Sequence, residues 1–170
     1  MHLSLKSRLR ATLVAGSQVL VEAGAGALGA AGNPLVVAAR AGGTVVARAA
    51  GSLRLSGEHD LVIDQVYTPA DATLAAPGAI LARLQAATET VADTNIRAGS
   101  LTLVAGGAIG SAASPFDALA LRLDGPLTLS AGAGAWLSAS GAQLELAGAQ
   151  VLGGPLRLDA DVALLRLGGL

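Results

Sequence analysis

No cysteine occurs among the 170 residues, so disulfides, thiolate catalysis and cysteine-ligated metals are excluded, and the redox compartment leaves no mark on the sequence. Aromatic residues are almost missing too: one Phe, one Trp and one Tyr. A core built without aromatic slabs must be filled by small side chains, which favours thin layers over a wide globule. Charge is sparse. Asp, Glu, Lys and Arg make up 14% of the chain and the formal charge is −1, so there is no basic field for a nucleic-acid backbone and no acidic tail. Long apolar runs are absent despite a mean hydropathy of +0.60, which Ala inflates. The longest weakly polar stretch, Ala23 to Ala39, contains Asn33, Pro34 and four glycines, short of the roughly 20 apolar residues a spanning helix needs. Three aromatics cannot form the two girdles of a transmembrane barrel. Neither membrane insertion nor a nucleic-acid partner is expected. Lys6, Arg8 and Arg10 ahead of "ATLVAG" mimic the start of a signal peptide, but Gln18 and Glu22 cut the apolar region short, and the segment reads as a first strand.

What the chain does have is two-residue alternation. "LRL" at 53–55, "LTL" at 101–103, "LALRL" at 119–123, "LTL" at 127–129, "LEL" at 144–146 and "LRL" at 156–158 put Leu on one side and Arg, Thr, Glu or Ala on the other. These are short half-buried strands. Between them lie "GNP", "AGG", "SGEHD", "LDGP" and "LGGP", clusters that supply corners.

The alternation is itself repeated. "GAGALGAAGNPL" (Gly24 to Leu35) returns as "GGAIGSAASPF" (Gly106 to Phe116), with Gly29 matched to Gly110 and Pro34 to Pro115 at one offset, 110 − 29 = 115 − 34 = 81. Downstream, Val45 aligns with Leu127 at 82, then Leu53 with Trp136 and Leu61 with Leu144 at 83. Strand-like runs start at Leu35, Val45, Leu53 and Leu61, and again at Leu119, Leu127, Trp136 and Leu144. Even spacing with the same corner chemistry in the same order points to stacked coils. The expected fold is all-β: a parallel β-helix of about eight coils at about 20 residues each. It forms a single solenoid segment over 1–170, with internal repeats at roughly 17–98 and 99–170, the second incomplete. The spacing of Ile80, Leu81, Leu84, Thr88 and Val91 also admits a short helical excursion near 79–92, although Gly78 to Ala86 reads as strand. Thr68 to Gly78, with Pro69 and Pro77, is the least regular connection and is expected to protrude.

Candidate chemistry is thin. "GAGALG" satisfies G-x-G-x-x-G after a strand-like run, but Asn33-Pro34 follows at once, leaving no clean helix start. The nearest later acid is Glu58, well past the position about 20 residues on where a dinucleotide site holds the ribose. The second copy, "AGGAIG", also lacks the first glycine. No cofactor is expected. His59, flanked by Glu58 and Asp60 with Ser56 nearby, has the residue types of a hydrolase triad without any G-x-S-x-G. It reads as a polar turn. His2 sits at a terminus that frays by default. Asp60 with Asp64, and Asp159 with Asp161, are evenly spaced acids that could serve as acid and base on a glycan-cleaving solenoid, yet Tyr67 is the sole aromatic near Asp64. Neither calcium-loop pattern occurs, so no metal is expected. Trp136 is expected to fill the coil interior at the position Leu53 holds in the first copy. Arg40, Arg48, Arg54, Arg122, Arg157 and Arg166 read as scattered, solvated outward positions.

The stretch "GSLTLVAGGAIGSAASPFDALALRLDGPLTLSAGAGAWLSASGAQLEL", Gly99 to Leu146, resembles the repeats of large filamentous-haemagglutinin-like bacterial adhesins, in which a "GxVTLTAGGxIGxAxNPL" phrase precedes a "GxIYLxxxGDLxL" phrase. The first copy keeps the pattern as "GALGAAGNPLVV" and "GSLRLSGEHDLVI", and the likeness covers about Gly16 to Leu146. Trp136 and Leu137 replace the usual tyrosine phrase, and no secretion-domain signature is visible. The resemblance implies a right-handed coil, in line with the general preference of parallel crossovers. It also implies export to the bacterial surface, often by two-partner secretion, and a non-enzymatic adhesin stalk. Two other classes stay open: a glycan-active or carbohydrate-binding β-helix, and a self-polymerising scaffold. The partners expected for a stalk are further repeats of the same longer polypeptide, end-to-end copies, or a host or cell-surface receptor or glycan.

Overall fold

The computed structural model describes residues 17–39, 42–83, 94–113 and 118–168, and the backbone of two further short strands near the start. The chain order is β1 (His2–Ser4), β2 (Thr12–Ala15), β3 (Gln18–Ala23), β4 (Leu35–Ala39), β5 (Thr44–Ala49), β6 (Leu53–Gly57), β7 (Leu61–Tyr67) and β8 (Asp71–Ala76). There follow β9 (Ile80–Ala82), β10 (Ile96–Ala98), β11 (Ser100–Ala105), β12 (Leu119–Leu123), β13 (Pro126–Ala131), β14 (Ala135–Val151) and β15 (Leu156–Leu167). Every pairing between these strands is parallel. The protein is all-β and solenoid-like, with no helix among the described residues.

Strands pair with the chain one winding later. Val45 lies on Ile63 (63 − 45 = 18), Leu61 on Ile80 (19), Leu35 on Leu55 (20) and Ala135 on Leu156 (21). The step is longer from Gln18 to Thr44 (26), where the chain leaves the coil near Gly29 and returns at Leu35, and from Val66 to Ile96 (30). The winding produces three faces. Face A stacks β3, β5, the end of β7, β10, β12 and the middle of β14 and β15. Face B stacks β4, β6, β8, β11, β13 and the end of β14. Face C is narrow, running Leu61–Ile80–Ile109–Ala135–Leu156.

Alternation decides what faces inward. Leu53 and Leu55 are buried while Arg54 between them and Ser56 after them are not, and the same parity recurs in Leu101 and Leu103 around Thr102. Inward residues stack on their own kind: Leu55, Leu74, Leu103 and Leu129 form one column, and Val21, Ala47, Val66, Ile96 and Leu121 another. Strands about 4.8 Å apart let one rung's leucine rest on the next, and each fully buried Leu contributes about 2 kcal/mol. The interior is narrow enough that Ala72 suffices between Leu53 and Leu101. Corners are equally tight. A Cβ at Gly132 would strike the carbonyl oxygen of Gly106 one coil away.

One expectation is corrected here. Thr68 to Gly78 does not protrude: Asp71–Ala76 is strand β8 with Ala72, Leu74 and Ala76 buried, because both prolines lie outside the strand, where no ladder hydrogen bond is lost. The buried Thr68 hydroxyl fastens the preceding corner by donating to the carbonyl of Gly51 (2.6 Å) and accepting from the Ala70 N–H (3.1 Å). Within the segment with helical spacing, Ile80–Ala82 is strand β9; 84–93, which holds the rest of it, lies outside the described residues.

The two copies of the glycine phrase leave the coil in the same way. Leu28 bridges to Leu53, the chain departs at Gly29 (φ 72°), and Leu35 rejoins on Leu55. Ile109 bridges to Ala135, the chain departs at Gly110 (φ 66°), and Leu119 rejoins on Leu137. Each departs over one residue of the next coil, Arg54 in the first case and Trp136 in the second, whose N–H groups donate to Leu28 and Ile109 (both 2.7 Å). Arg54, not Leu53, is therefore the counterpart of Trp136.

Candidate functional site

Two outward features combine side chains able to bind a ligand. The first is a ladder on face A. Glu22, Arg48, Tyr67, Arg97 and Arg122 occupy one register column, each on a successive strand. All point outward because their neighbours Val21, Ala47, Val66, Ile96 and Leu121 are buried. Arg48 is engaged: it reaches Glu22 at 3.5 Å and donates to the Gln65 side chain at 2.7 Å. The guanidinium of Arg97 stands 5.8 Å from the centre of the Tyr67 ring, within cation–π range. Among the described residues neither Arg97 nor Arg122 forms an ion pair.

The second feature is a cleft of about 170 Å³ beside the second excursion, lined by Ser111, Ala112, Ala118, Trp136, Leu137, Arg157 and Asp159. Trp136 is only partly buried and lies outside the coil, contrary to the expectation that it fills the interior. Ala135 and Leu137 take the inward positions, and alternation turns Trp136 out. Its indole covers Gly134, where a Cβ would meet the ring carbon Cζ3 at 2.6 Å. Arg157, its register partner on β15, donates to Asp159 at 3.1 Å.

The other residues singled out from the sequence are dispersed. The Gly24–Gly29 segment is a turn that ends in the Leu28 bridge and leads, through a tight Ala30–Asn33 turn, into strand β4. Glu58, His59 and Asp60 are exposed at the corner between β6 and β7, and Ser56 sits on β6, outward on face B. Asp60 is a structural acceptor, taking the Ala79 N–H at 2.7 Å. Asp64 lies where the register slips between β5 and β7 and receives Gln18 (3.2 Å) and Arg83 (3.3 Å). The two carboxylates thus have separate partners. Asp159 and Asp161 are exposed on β15, the former paired with Arg157. Arg54 is tied to Asp71 (2.8 Å), which also accepts the Ser52 hydroxyl (2.8 Å). Arg166 is exposed, in register with Glu145. His2 is in β1; Arg40 is outside the described residues. Among the described residues no group of three or more His, Asp or Glu side chains could hold a metal ion, and no helix is long and apolar enough to cross a membrane.

Three polar residues of consequence carry no signal in the sequence. Arg97 belongs to the ladder, and Thr68 and Asn95 are the buried polar residues among those described. Asn95 bridges coils: its amide donates to the Ile63 carbonyl (3.2 Å) and its oxygen accepts the Ala120 N–H (3.0 Å). Comparison of the chain with family models, curated proteins and solved structures finds no significant match to any of them.

Proposed function

We propose that this chain is a non-enzymatic stalk segment of a bacterial surface-exposed or secreted adhesin. It is a right-handed parallel β-helix of about eight coils whose partners are further coils of the same polypeptide or a second copy stacked end to end. The observation that carries the reading is the edge at β15. Among the described residues that strand pairs β14 on one side, and its leucines continue the interior columns: Leu156 follows Ala135, Leu165 follows Leu144, and Leu167 follows Leu146. Ala135, Leu144 and Leu146 are buried, whereas Leu165 is 44% and Leu167 61% exposed. Another rung of the same pattern would cover these leucines and pair the free ladder of N–H and C=O groups. The carboxylates support a structural role, since Asp60, Asp64 and Asp71 each hold a neighbouring coil.

Light scattering of the purified chain over a concentration series tests the stacking. Assemblies larger than a monomer are expected, and replacing Leu165 and Leu167 by Lys should dissolve them; a monodisperse monomer at every concentration contradicts it. Protease applied to intact producing cells tests the location. An epitope cleaved without lysis is expected, and one protected until lysis removes the adhesin reading.

A further inference from the structure

We propose that Tyr67, Arg97 and Arg122 on face A form a lateral site for an acidic polysaccharide, binding its sugar carboxylates along the coil axis. Register alone brings these side chains together, whatever the role of the coil as a stalk. Arg97 and Arg122 are direct register partners on adjacent strands, so their stems leave the sheet about 4.8 Å apart. Like charges placed directly opposite are destabilising. At the other end of the column the opposite arrangement is used, Glu22 beside Arg48. No described carboxylate does this for Arg97 and Arg122: Asp124, two residues past Arg122, forms no ion pair with either, and Asp161 stands two strands beyond. An anion between the two guanidiniums relieves the repulsion and gains paired N–H donors.

Tyr67 narrows the class. Tyr67 is 40% exposed and its ring is steadied by Arg97, which offers a flat apolar surface to the apolar face of a pyranose next to the two cations. A nucleic acid fits less well, because its affinity grows with the number of phosphates neutralised, whereas this column offers two arginines without an ion pair among the described residues, on a chain of net charge −1. Arg48, held by Glu22 and Gln65, stands outside the site.

Calorimetric titration of the purified chain with oligogalacturonate at low ionic strength tests the proposal, with neutral dextran and a single-stranded oligonucleotide as comparison arms. Saturable uronate binding is expected, weakening with added salt and falling about tenfold in Arg97→Ala or Arg122→Ala, as losing one charge-assisted contact implies. Arg97→Lys should give an intermediate loss, because the ammonium keeps the charge without the fork. The side chains point outward, so unchanged circular dichroism is expected in all variants. Absence of uronate binding, equal or tighter binding of dextran or the oligonucleotide, or arginine variants within about twofold of the parent would overturn the assignment.

Discussion

Gly29 and Gly32 share one backbone conformation and differ in what surrounds them, which makes them a paired test of coil stacking. Both have φ of 72°. Around Gly32 nothing lies within 4 Å of a built Cβ, whereas at Gly29 that atom would run into the carbonyl oxygen of Arg54 and stand 2.9 Å from the Leu35 nitrogen. For Gly32→Ala the left-handed conformation costs about 1–2 kcal/mol, offset by about 0.4–1 kcal/mol from a less flexible unfolded chain, a net loss of about 1 kcal/mol. Gly29→Ala carries that loss and also pries the excursion from the coil beneath it. Two hydrogen bonds hold that contact, Arg54 N–H to Leu28 (2.7 Å) and Leu28 N–H to Ser52 (2.8 Å), and each buried group left unpaired costs about 1–3 kcal/mol. The expected destabilisation is therefore about 3–7 kcal/mol. Urea unfolding followed by circular dichroism and by Trp136 fluorescence measures both variants, and coincident transitions license a single free energy for the array. Gly110→Ala should repeat the larger effect, since its Cβ would meet the carbonyl of Trp136. If Gly29→Ala and Gly32→Ala differ by less than about 1 kcal/mol, no coil lies under the excursion and the stacking argument fails.

Leu103→Ala should cost about 3–4 kcal/mol, because Leu103 is fully buried between Leu74 and Leu129. Val104→Ala, at a position 43% exposed, should stay within about 0.5 kcal/mol; equal effects in denaturant titrations would mean that the inward parity is reversed. Thr68→Val keeps the shape but strands the Gly51 carbonyl and the Ala70 N–H, so a loss of about 1–3 kcal/mol is expected, and a neutral result would show that water reaches the corner. Asn95→Ala should cost about 2–3 kcal/mol and raise amide exchange at Ala120, the N–H it releases; unchanged protection there would remove the bridging role.

The coil is legible in the sequence because its two determinants are local. Inward leucines at alternate positions, and Gly or Pro at the corners between runs, are read directly from "LRL", "LTL" and "LGGP". What depends on the neighbouring coil is not legible. Arg48, Arg97 and Arg122 look scattered along the chain, and they enter one column only when the register partner of each strand is known. The windings are of unequal length, so the short step from Arg48 to Tyr67 and the longer one from Tyr67 to Arg97 both count as one. Asn95 and Thr68 are hidden for the same reason, since their hydrogen bonds close onto other coils. The repeat offset misplaces Trp136: anchoring the parity on Leu137 instead of on the alignment with Leu53 turns the indole outward.

The equivalence of the glycine phrases is local, and this alters what the repeat means. Leu28 and Leu35 both stack on β6, so the first excursion interrupts face B. Ile109 stacks on face C and Leu119 on face A, so the second leaves at the corner between those faces. Val45 and Leu127, which the repeat aligns, are both buried, yet Val45 belongs to face A and Leu127 to face B. The aligned positions of the two copies thus lie on different faces, Leu35 on B against Leu119 on A and Val45 on A against Leu127 on B. The recurring element is the single step of one inward-alternating strand and one corner, because each step needs only a rung above and a rung below to bury its leucines. A coil assembled from such interchangeable steps can carry an excursion on any face, and for that reason the Trp136 cleft and the Arg54–Asp71 pair, built from matching phrases, lie on different sides of the molecule.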